Sequence, residues 1–222
     1  MDRVRWVLVA GMLAAFVALA IGAHRVVAFT IDVRFTRWVQ DHDSTLLDWL
    51  TTLTNRVMGG TLLSLVGVAI AIALLARRHP LDAVVVATAT AVRVTNSGFK
   101  EIVASPRPTP DLVRVTDHAN GYGYPSGHAA SATLVVGAVA WVMARHVRSR
   151  AGRIAVWLVA AVLIILTGIG RVRVGVHWPT DVLGGWLWAG AALLVITGLA
   201  GQQARRGEQA RRRGSEQLDG GT

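Results

Sequence analysis

Six long apolar segments constrain this chain more than any other feature of its sequence. A helix needs about 20 mostly apolar residues to cross a bilayer. Charged residues make up only 16% of the chain, against about 25% in soluble domains. We therefore expect an all-α fold, a polytopic membrane bundle of six transmembrane helices. The expected spans are roughly Trp6–Ala23, Met58–Ala76, Leu81–Phe99, Ala129–Ala144, Ile154–Ile169 and Asp181–Leu199.

Arginines at the ends of the apolar segments predict the orientation, because short cytoplasmic loops carry an excess of Lys and Arg. The N-terminus and the second-to-third link carry two arginines each, the fourth-to-fifth link carries four and the C-terminal tail carries five. With six spans these segments lie on one side, so both termini are expected to be cytoplasmic. The outer side then receives residues 24–57, 100–128 and 170–180. The first of these also carries four arginines, which argues against the assignment, but its length gives it less weight.

The charge balance and the absence of cysteine narrow the classes of function. The chain has 23 Lys and Arg against 13 Asp and Glu, a formal net charge of +10. The arginines lie largely where anionic lipid head groups would meet them, so nucleic acid is not an expected partner. With no cysteine, disulfides, zinc–thiolate sites and cysteine nucleophiles are excluded.

The termini and the first outer segment carry further expectations. A cleaved signal peptide is the alternative to a retained first span, although the apolar run is long for a signal. Residues 24–57 contain two amphipathic stretches, either short helices in the membrane interface or a loop packed on the bundle.

Residues 1–201 are expected to form one domain. The polar, arginine-rich residues 202–222 are expected to form a disordered cytoplasmic tail.

Polar residues concentrate in three segments that the expected topology brings to the outer face. The first, residues 100–108, ends the third span. Residues 125–128 open the fourth span, and residues 170–181 open the sixth. The segments are far apart in sequence. The spans were assigned from apolar length alone, yet they place all three segments at the same membrane face.

These segments hold groups that suit a phosphate ligand. Lys100, Arg107 and Arg171 supply fixed positive charge, and arginine grips phosphate through two parallel hydrogen bonds. Ser126 is a good N-cap, and the free N–H groups at a helix start form an anion site. Gly127 allows the backbone to approach a ligand closely.

Two histidines and one aspartate add reactive groups. His177 and Asp181 are four residues apart, so they face each other if the turn is helical. An aspartate that accepts the N–H of one imidazole nitrogen leaves the other nitrogen free to attack. His128 comes from another helix and is a candidate to protonate a leaving oxygen.

The three segments resemble the signature motifs of the type 2 phosphatidic acid phosphatase superfamily. These motifs are Lys-x6-Arg-Pro, Pro-Ser-Gly-His and Ser-Arg-x5-His-x3-Asp. The matching residues are Lys100, Arg107 and Pro108, then Pro125 to His128, then Arg171, His177 and Asp181. One motif alone is weak, but three in order, each at its expected helix end, form a specific pattern.

One position departs from the resembled pattern. Gly170 stands where the third motif has its serine, so a hydroxyl that could bond phosphate is missing. The backbone N–H remains. We expect weaker phosphate binding rather than loss of activity.

The resemblance implies a membrane lipid phosphatase that needs neither metal nor cofactor. His177 would form a phosphohistidine, Asp181 would orient it, and His128 would protonate the leaving group and then activate water. The implied phosphate-binding residues are Lys100, Arg107, Ser126, Gly127 and Arg171.

The expected setting is the plasma membrane, with a multi-pass chain and a site that faces outside. A polyprenyl (undecaprenyl) diphosphate is the favoured substrate, and phosphatidic acid or phosphatidylglycerol phosphate is the runner-up. Vanadium-dependent haloperoxidases resemble the same motifs, but they are soluble oxidoreductases, which six spans disfavour. A non-catalytic lipid-binding homologue is disfavoured because both histidines and the aspartate are present. The sequence makes no prediction of oligomeric state.

Overall fold

The described part of the chain forms nine α-helices, joined by short connections except for the long loop of residues 104–126. A computed structural model describes residues 3–42 and 44–219, with side chains up to residue 210. No β-strand occurs in these ranges, which confirms the all-α expectation. The helices are α1 (Arg3–Arg25), α2 (Thr30–Asp41), α3 (Thr45–Val57), α4 (Gly60–Ala76), α5 (Pro80–Val92), α6 (Asn96–Val103), α7 (Gly127–His146), α8 (Arg150–Arg173) and α9 (Pro179–Asp219).

Four helices are long and apolar enough to cross a membrane: α1, α7, α8 and α9 as far as Ala210. Helices α3 and α4 meet at a bend of 64° and make a fifth span if they are counted together. The chain is therefore a membrane protein with four or five candidate spans in the described residues. The layout of six spans stays a prediction.

The expected third span is divided. Helix α5 ends at Val92, Arg93–Thr95 form a 3₁₀ turn, and α6 begins at Asn96. Threonine and asparagine are weaker helix formers than alanine or leucine, and 3₁₀ turns commonly connect helical pieces. Arg93 and Asn96 both keep right-handed helical dihedrals, so the path from Pro80 to Val103 stays helical.

Residues 24–57 contain helices α2 and α3, which pack on the bundle, while their position in the membrane interface stays a prediction. Trp38 of α2 and Trp49 of α3 point outward, 57% and 61% exposed. Gln40 of α2 donates from Nε2 to the carbonyl oxygens of Arg114 and Arg173, at 2.7 Å and 3.1 Å. Arg173, at the end of α8, forms an ion pair with Asp48 of α3.

Helix α7 lies at the centre of the bundle. It contacts α4, α5, α8 and α9, and most of its buried residues are small, including Ala129, Ala132 and Ala138. A Cβ at Gly185 of α9 would lie 2.7 Å from the backbone oxygen of Ser126. Glycine at this position therefore allows the starts of α7 and α9 to lie side by side.

Helix α9 continues to Asp219, which differs from the disordered tail expected for residues 202–222. Alanine, arginine, glutamine and glutamate all favour helix. A helix that a transmembrane span has already nucleated also extends at little cost. Residues 220–222 lie outside the described residues.

Candidate active site

The three polar segments meet at one end of the bundle. The N–H of Ser126 donates to the carbonyl oxygen of Asp181 at 2.9 Å. Lys100 donates from Nζ to the carbonyl oxygens of Tyr122 and Gly123, at 2.6 Å and 3.2 Å. The ends of α6 and α8 and the beginnings of α7 and α9 thus surround one site.

The His177–Asp181 pair lies at the buried centre of this site. Nδ1 of His177 lies 3.2 Å from Oδ2 of Asp181, and the N–H of Trp178 donates to the same oxygen at 3.0 Å. Oδ2 therefore already acts as an acceptor for the N–H of Trp178, so Nδ1 of His177 is assigned the proton and Nε2 keeps its lone pair. Burial lowers the pKa of His177 well below its usual value, and the charge of Arg107 lowers it further. His177 is therefore neutral at neutral pH.

Arg107 lies within hydrogen-bond distance of Nε2 of His177 and is held there by backbone carbonyls. Its Nη1 lies 3.3 Å from Nε2 of His177 and donates to the oxygen of Val176 at 2.6 Å. Its Nε and Nη2 donate to the oxygens of Gly121 and Asn120, at 2.8 Å and 3.1 Å. These bonds fix the guanidinium from two loops, so its position needs no ligand to define it.

Lys100 supplies a second cation to the site. Burial lowers the pKa of Lys100 to about 8, and the charge of Arg107 contributes further. The ammonium is therefore charged at neutral pH but loses its proton under mildly alkaline conditions.

Arg171 is the third cation and is almost fully buried, at 5% exposed. Its Nη1 forms an ion pair with Oδ2 of Asp117 at 3.2 Å. Its Nε is buried and has no hydrogen-bond partner in the described part of the chain. Asp117, which no sequence pattern singled out, is 49% exposed at its side chain. A bound phosphate would compete with Asp117 for this guanidinium.

Ser126 occupies the N-cap position of α7, but its side chain makes no capping bond, which corrects the expected cap. The hydroxyl is fully buried and has no partner among the described residues. Gly127 and His128 form the first turn of α7. His128 faces the bend before α4, because a Cβ at Gly59 would lie 3.8 Å from its Nε2.

Two further residues fix this end of the bundle. Asn96 donates from Nδ2 to the oxygen of Pro125 at 3.2 Å and accepts from Nε1 of Trp188 at 3.0 Å. Asp32 of α2 accepts from the N–H and hydroxyl of Thr180, at 3.0 Å and 2.8 Å. Asn96 shares a helical face with Lys100, so a sequence signal existed. Asp32 is distant in sequence and had none.

A family comparison agrees with this geometry. The model of the PAP2 superfamily matches residues 81–205, which include all three polar segments. Two curated relatives are each 35% identical over a local region. Phosphatidylglycerophosphatase B of Bacillus subtilis matches over 96 residues, 42% of this chain and 45% of the relative. Undecaprenyl-diphosphatase of Sulfolobus acidocaldarius matches over 71 residues, 30% of this chain and 28% of the relative. The chain thus spans less than half the length of either relative.

Two solved structures share the fold. The crystal structure of a transmembrane PAP2 type phosphatidylglycerolphosphate phosphatase from Bacillus subtilis has a TM-score of 0.77 at 23% identity, covering 87% of this chain and 96% of that one. The structure of Aquifex aeolicus LpxE has a TM-score of 0.56 at 20% identity, covering 77% and 96%. The resemblance inferred from the three motifs is confirmed, and the chain belongs to the PAP2 superfamily.

Proposed function

We propose that this chain is a lipid phosphatase that hydrolyses a phosphate monoester or diphosphate of a membrane lipid through a phosphohistidine. The observation that carries the proposal is the pairing of His177 Nδ1 with Asp181 Oδ2 at 3.2 Å. The pairing leaves Nε2 as a neutral nucleophile 3.3 Å from the fixed cation of Arg107. Attack on a phosphoryl group needs such a nucleophile beside groups that stabilise negative charge.

In the first step, Nε2 of His177 attacks phosphorus and the bond from phosphorus to the leaving oxygen breaks. Bound beside the negatively charged phosphate, His128 is in its imidazolium form and donates a proton to that oxygen, so the dephosphorylated lipid leaves as a neutral alcohol or a protonated phosphate. Asp181 accepts the Nδ1 hydrogen bond throughout and stabilises the positive charge that develops on the imidazole.

In the second step, water replaces the lipid. His128, which lost its proton in the first step, takes one from the attacking water. The oxygen of the water bonds to phosphorus, the phosphorus–nitrogen bond breaks, and phosphate is released. His177 and His128 return to their starting protonation states.

The phosphate-binding groups stabilise the charge on the phosphoryl oxygens in both steps. Lys100, Arg107 and Arg171 contribute the positive charge, and Arg171 exchanges Asp117 for phosphate. The hydroxyl of Ser126 and the N–H of Gly127 contribute hydrogen bonds from the start of α7. Loss of one such donor typically costs on the order of 10²–10³-fold in rate. The proposed reaction uses no metal.

We also propose six spans, with residues 1–201 as one domain, both termini cytoplasmic and the site at the outer face of the plasma membrane. The helical path through α5 and α6 supports the third span. Single cysteines can test the orientation because the chain has none of its own. An impermeant maleimide should label Asp111→Cys, at the site end, in intact cells. It should label Arg148→Cys, at the opposite end, only after permeabilisation. The reverse labelling pattern would show that the site faces the cytoplasm and would contradict the proposed orientation.

A polyprenyl (undecaprenyl) diphosphate is the first candidate substrate, and phosphatidylglycerol phosphate or phosphatidic acid is the second. The names of the two curated relatives, an undecaprenyl-diphosphatase and a phosphatidylglycerophosphatase, support one candidate each. A lipid-anchored substrate suits a site at the end of a membrane bundle, where the head group reaches polar residues while the tail stays in the bilayer.

Phosphate release by detergent-purified protein tests the proposal. The three lipids are offered in parallel with EDTA present, using His177→Ala and the exposed-histidine control His118→Ala. We expect release in EDTA by the wild type and by His118→Ala, and none by His177→Ala. The ranking of rates names the lipid class. Full activity in His177→Ala would refute the mechanism, and loss in EDTA would refute metal independence.

A further inference from the structure

Buried polar atoms without a hydrogen-bond partner cluster around the candidate site. Among the described residues they include Ser126 Oγ, Arg171 Nε, Asp181 Oδ1 and Oδ1 of Asn55. Buried polar atoms are nearly always paired in folded proteins, so such a cluster indicates a polar ligand. Ser126 and Arg171 belong to the proposed phosphate site and Asp181 to the pair with His177, but Asn55 comes from α3 and lies outside every motif.

Asn55 packs directly against the backbone that precedes Arg171. A Cβ at Gly170 would lie 2.8 Å from Oδ1 and 2.9 Å from Nδ2 of Asn55. The amide of Asn55 therefore fills the volume into which any side chain at position 170 would project. In this chain glycine at that position makes room for a polar group from a different helix.

We infer that Asn55 is a phosphate-binding residue, whose amide replaces the hydroxyl that Gly170 lacks. This inference rests on the proposed function. The two ends of an amide are interchangeable in heavy-atom coordinates. In the flipped orientation, the unpartnered buried atom is the NH₂ group, and a phosphoryl oxygen is the acceptor that it lacks.

A reciprocal exchange of side chains tests this inference. We expect Asn55→Ala to lower kcat/KM for phosphate release by on the order of 10- to 100-fold, as for a lost hydrogen bond to a charged group. Gly170→Ser alone should also lower it, because the new Cβ collides with the Asn55 amide. The double variant Asn55→Ala/Gly170→Ser has room for the hydroxyl and should recover most of the activity. Thr52→Ala, an exposed change on α3, is the matched control.

The outcomes separate this inference from the proposed function. An active wild type with an unchanged Asn55→Ala variant, or a double variant whose loss is the product of the two single losses, overturns the role of Asn55 alone. A wild type that releases no phosphate refutes the proposed function. The rise in Tm caused by inorganic phosphate then decides, and an equal rise in wild type and Asn55→Ala overturns the inference.

A second cluster lies at the opposite end of the bundle. His79 precedes α5, Asp82 lies in its first turn, and His146 ends α7. Nε2 of His146 lies 2.7 Å from Oδ2 of Asp82, and Nδ1 of His79 lies 4.0 Å from the same oxygen. One ligand atom of each residue lies within 4.8 Å of the others.

The surroundings of this cluster suit a cation with an open coordination position. The side chain of Asp82 is only 5% exposed, whereas those of His79 and His146 are 46% and 50% exposed. Oδ1 of Asp82 is buried without a hydrogen bond among the described residues, and Nε of Arg145 lies 3.6 Å from it. A metal-binding carboxylate commonly has its other oxygen oriented by an outer partner, a role that Arg145 fits.

The geometry points to a Zn²⁺ site formed by His79, Asp82 and His146, with water as the fourth ligand. Two imidazoles and a carboxylate are donors that Zn²⁺ prefers. Donors of a tetrahedral Zn²⁺ site lie about 3.3 Å apart, so His79 would move closer to Asp82 and His146 would move slightly away from it on binding. The ion would join the start of α5 to the end of α7 and would take no part in the chemistry at the other end.

Zn²⁺ titration of the EDTA-treated, detergent-purified chain tests this site. We expect one Zn²⁺ ion to bind and raise the Tm of the wild type. His79→Ala and His146→Ala should each weaken binding by at least about 10-fold, in line with the loss of a metal-site contact. His42→Ala, an exposed histidine elsewhere, should bind like the wild type. Equal Zn²⁺ affinity in all four proteins, or no binding by the wild type, would show that the cluster is only a hydrogen-bonded His–Asp–Arg network.

Discussion

Helices α7 and α8 are adjacent and similar in length, but they occupy different environments. In the most apolar stretch of each helix, 61% of the residues of α7 are buried, against 17% in α8. The more buried helix is the less apolar of the two. The buried surface of α7 consists largely of alanine, glycine, serine and threonine, whereas α8 exposes Leu158, Val159 and Val162.

This difference shows that hydropathy does not identify the interior of a membrane bundle. Lipid tails are as apolar as leucine, so large apolar side chains gain little by turning inward, and small residues allow helices to approach closely. The polar groups of the site also lie in the closely packed part of the bundle. Ser126 and Asp181 begin the closely packed α7 and α9, and α8 becomes buried at its last turns, around Arg171.

The largest expected effect comes from breaking the contact between α7 and α9. Gly185→Val puts side-chain atoms against the backbone oxygen of Ser126 and should displace Asp181 from the site. We expect phosphate release to fall by on the order of 10²-fold or more and stability to fall by about 1–3 kcal/mol. Gly201→Val, on the same helix with open space around it, should keep both near wild type. Equal effects of the two changes would contradict the packing role of Gly185.

A smaller loss is expected at the buried end of α8. Arg171→Lys keeps the charge but removes the planar pair of donors, so kcat/KM should fall by on the order of 10²-fold. Arg153→Lys, near the exposed start of α8, is the matched control and should change little. If Arg171→Lys were as active as Arg153→Lys, Arg171 would not bind phosphate through paired hydrogen bonds.

The pH profile should report the buried environment of Lys100. Its cation is present below its pKa of about 8 and is lost as pH rises, so kcat/KM should decline above about pH 8. Lys100→Arg should extend activity to higher pH, because arginine keeps its charge there. The low pKa of His177 means that acidification to pH 6 should not inactivate this nucleophile. An alkaline limb unchanged in Lys100→Arg would assign that limb to another group.

The smallest effect is expected on the exposed side of α8. Leu158 is 61% exposed and Leu134 of α7 is fully buried. Leu158→Ala should change stability by less than about 0.5 kcal/mol, whereas Leu134→Ala should cost about 2–5 kcal/mol. Thermal unfolding in one detergent compares them directly. Equal losses of stability would mean that α8 packs against a partner.

Much of the site could be predicted because its residues occur at short, fixed intervals within three sequence motifs. The four-residue interval from His177 to Asp181 allows their contact within one helical turn. The arginines at the helix ends predict that the three polar segments lie at the same membrane face. Asn55, Asp32 and Asp117 could not be predicted this way. Each acts through a contact with a residue more than 50 positions away, and no local period records such a contact.

The helix boundaries show a second limit. The spans were predicted from apolar length, so the division between α5 and α6 at Arg93 and the extension of α9 beyond Ala210 were not predicted. The bend between α3 and α4 lies at Gly59 and Gly60, which are packed near His128 and Arg93 of other elements. Such boundaries are set by tertiary packing rather than by the apolar run itself.

Covalent labelling of the protein tests the central claim most directly. Purified wild type is mixed with a lipid carrying a ³²P-labelled terminal phosphate, quenched at alkaline pH within the first turnover, and digested for peptide mapping. The account predicts acid-labile label on the peptide that contains His177 in the wild type, and none in His177→Ala. Lipid hydrolysis with no label on this peptide, or equal label in both proteins, would contradict a phosphohistidine at His177.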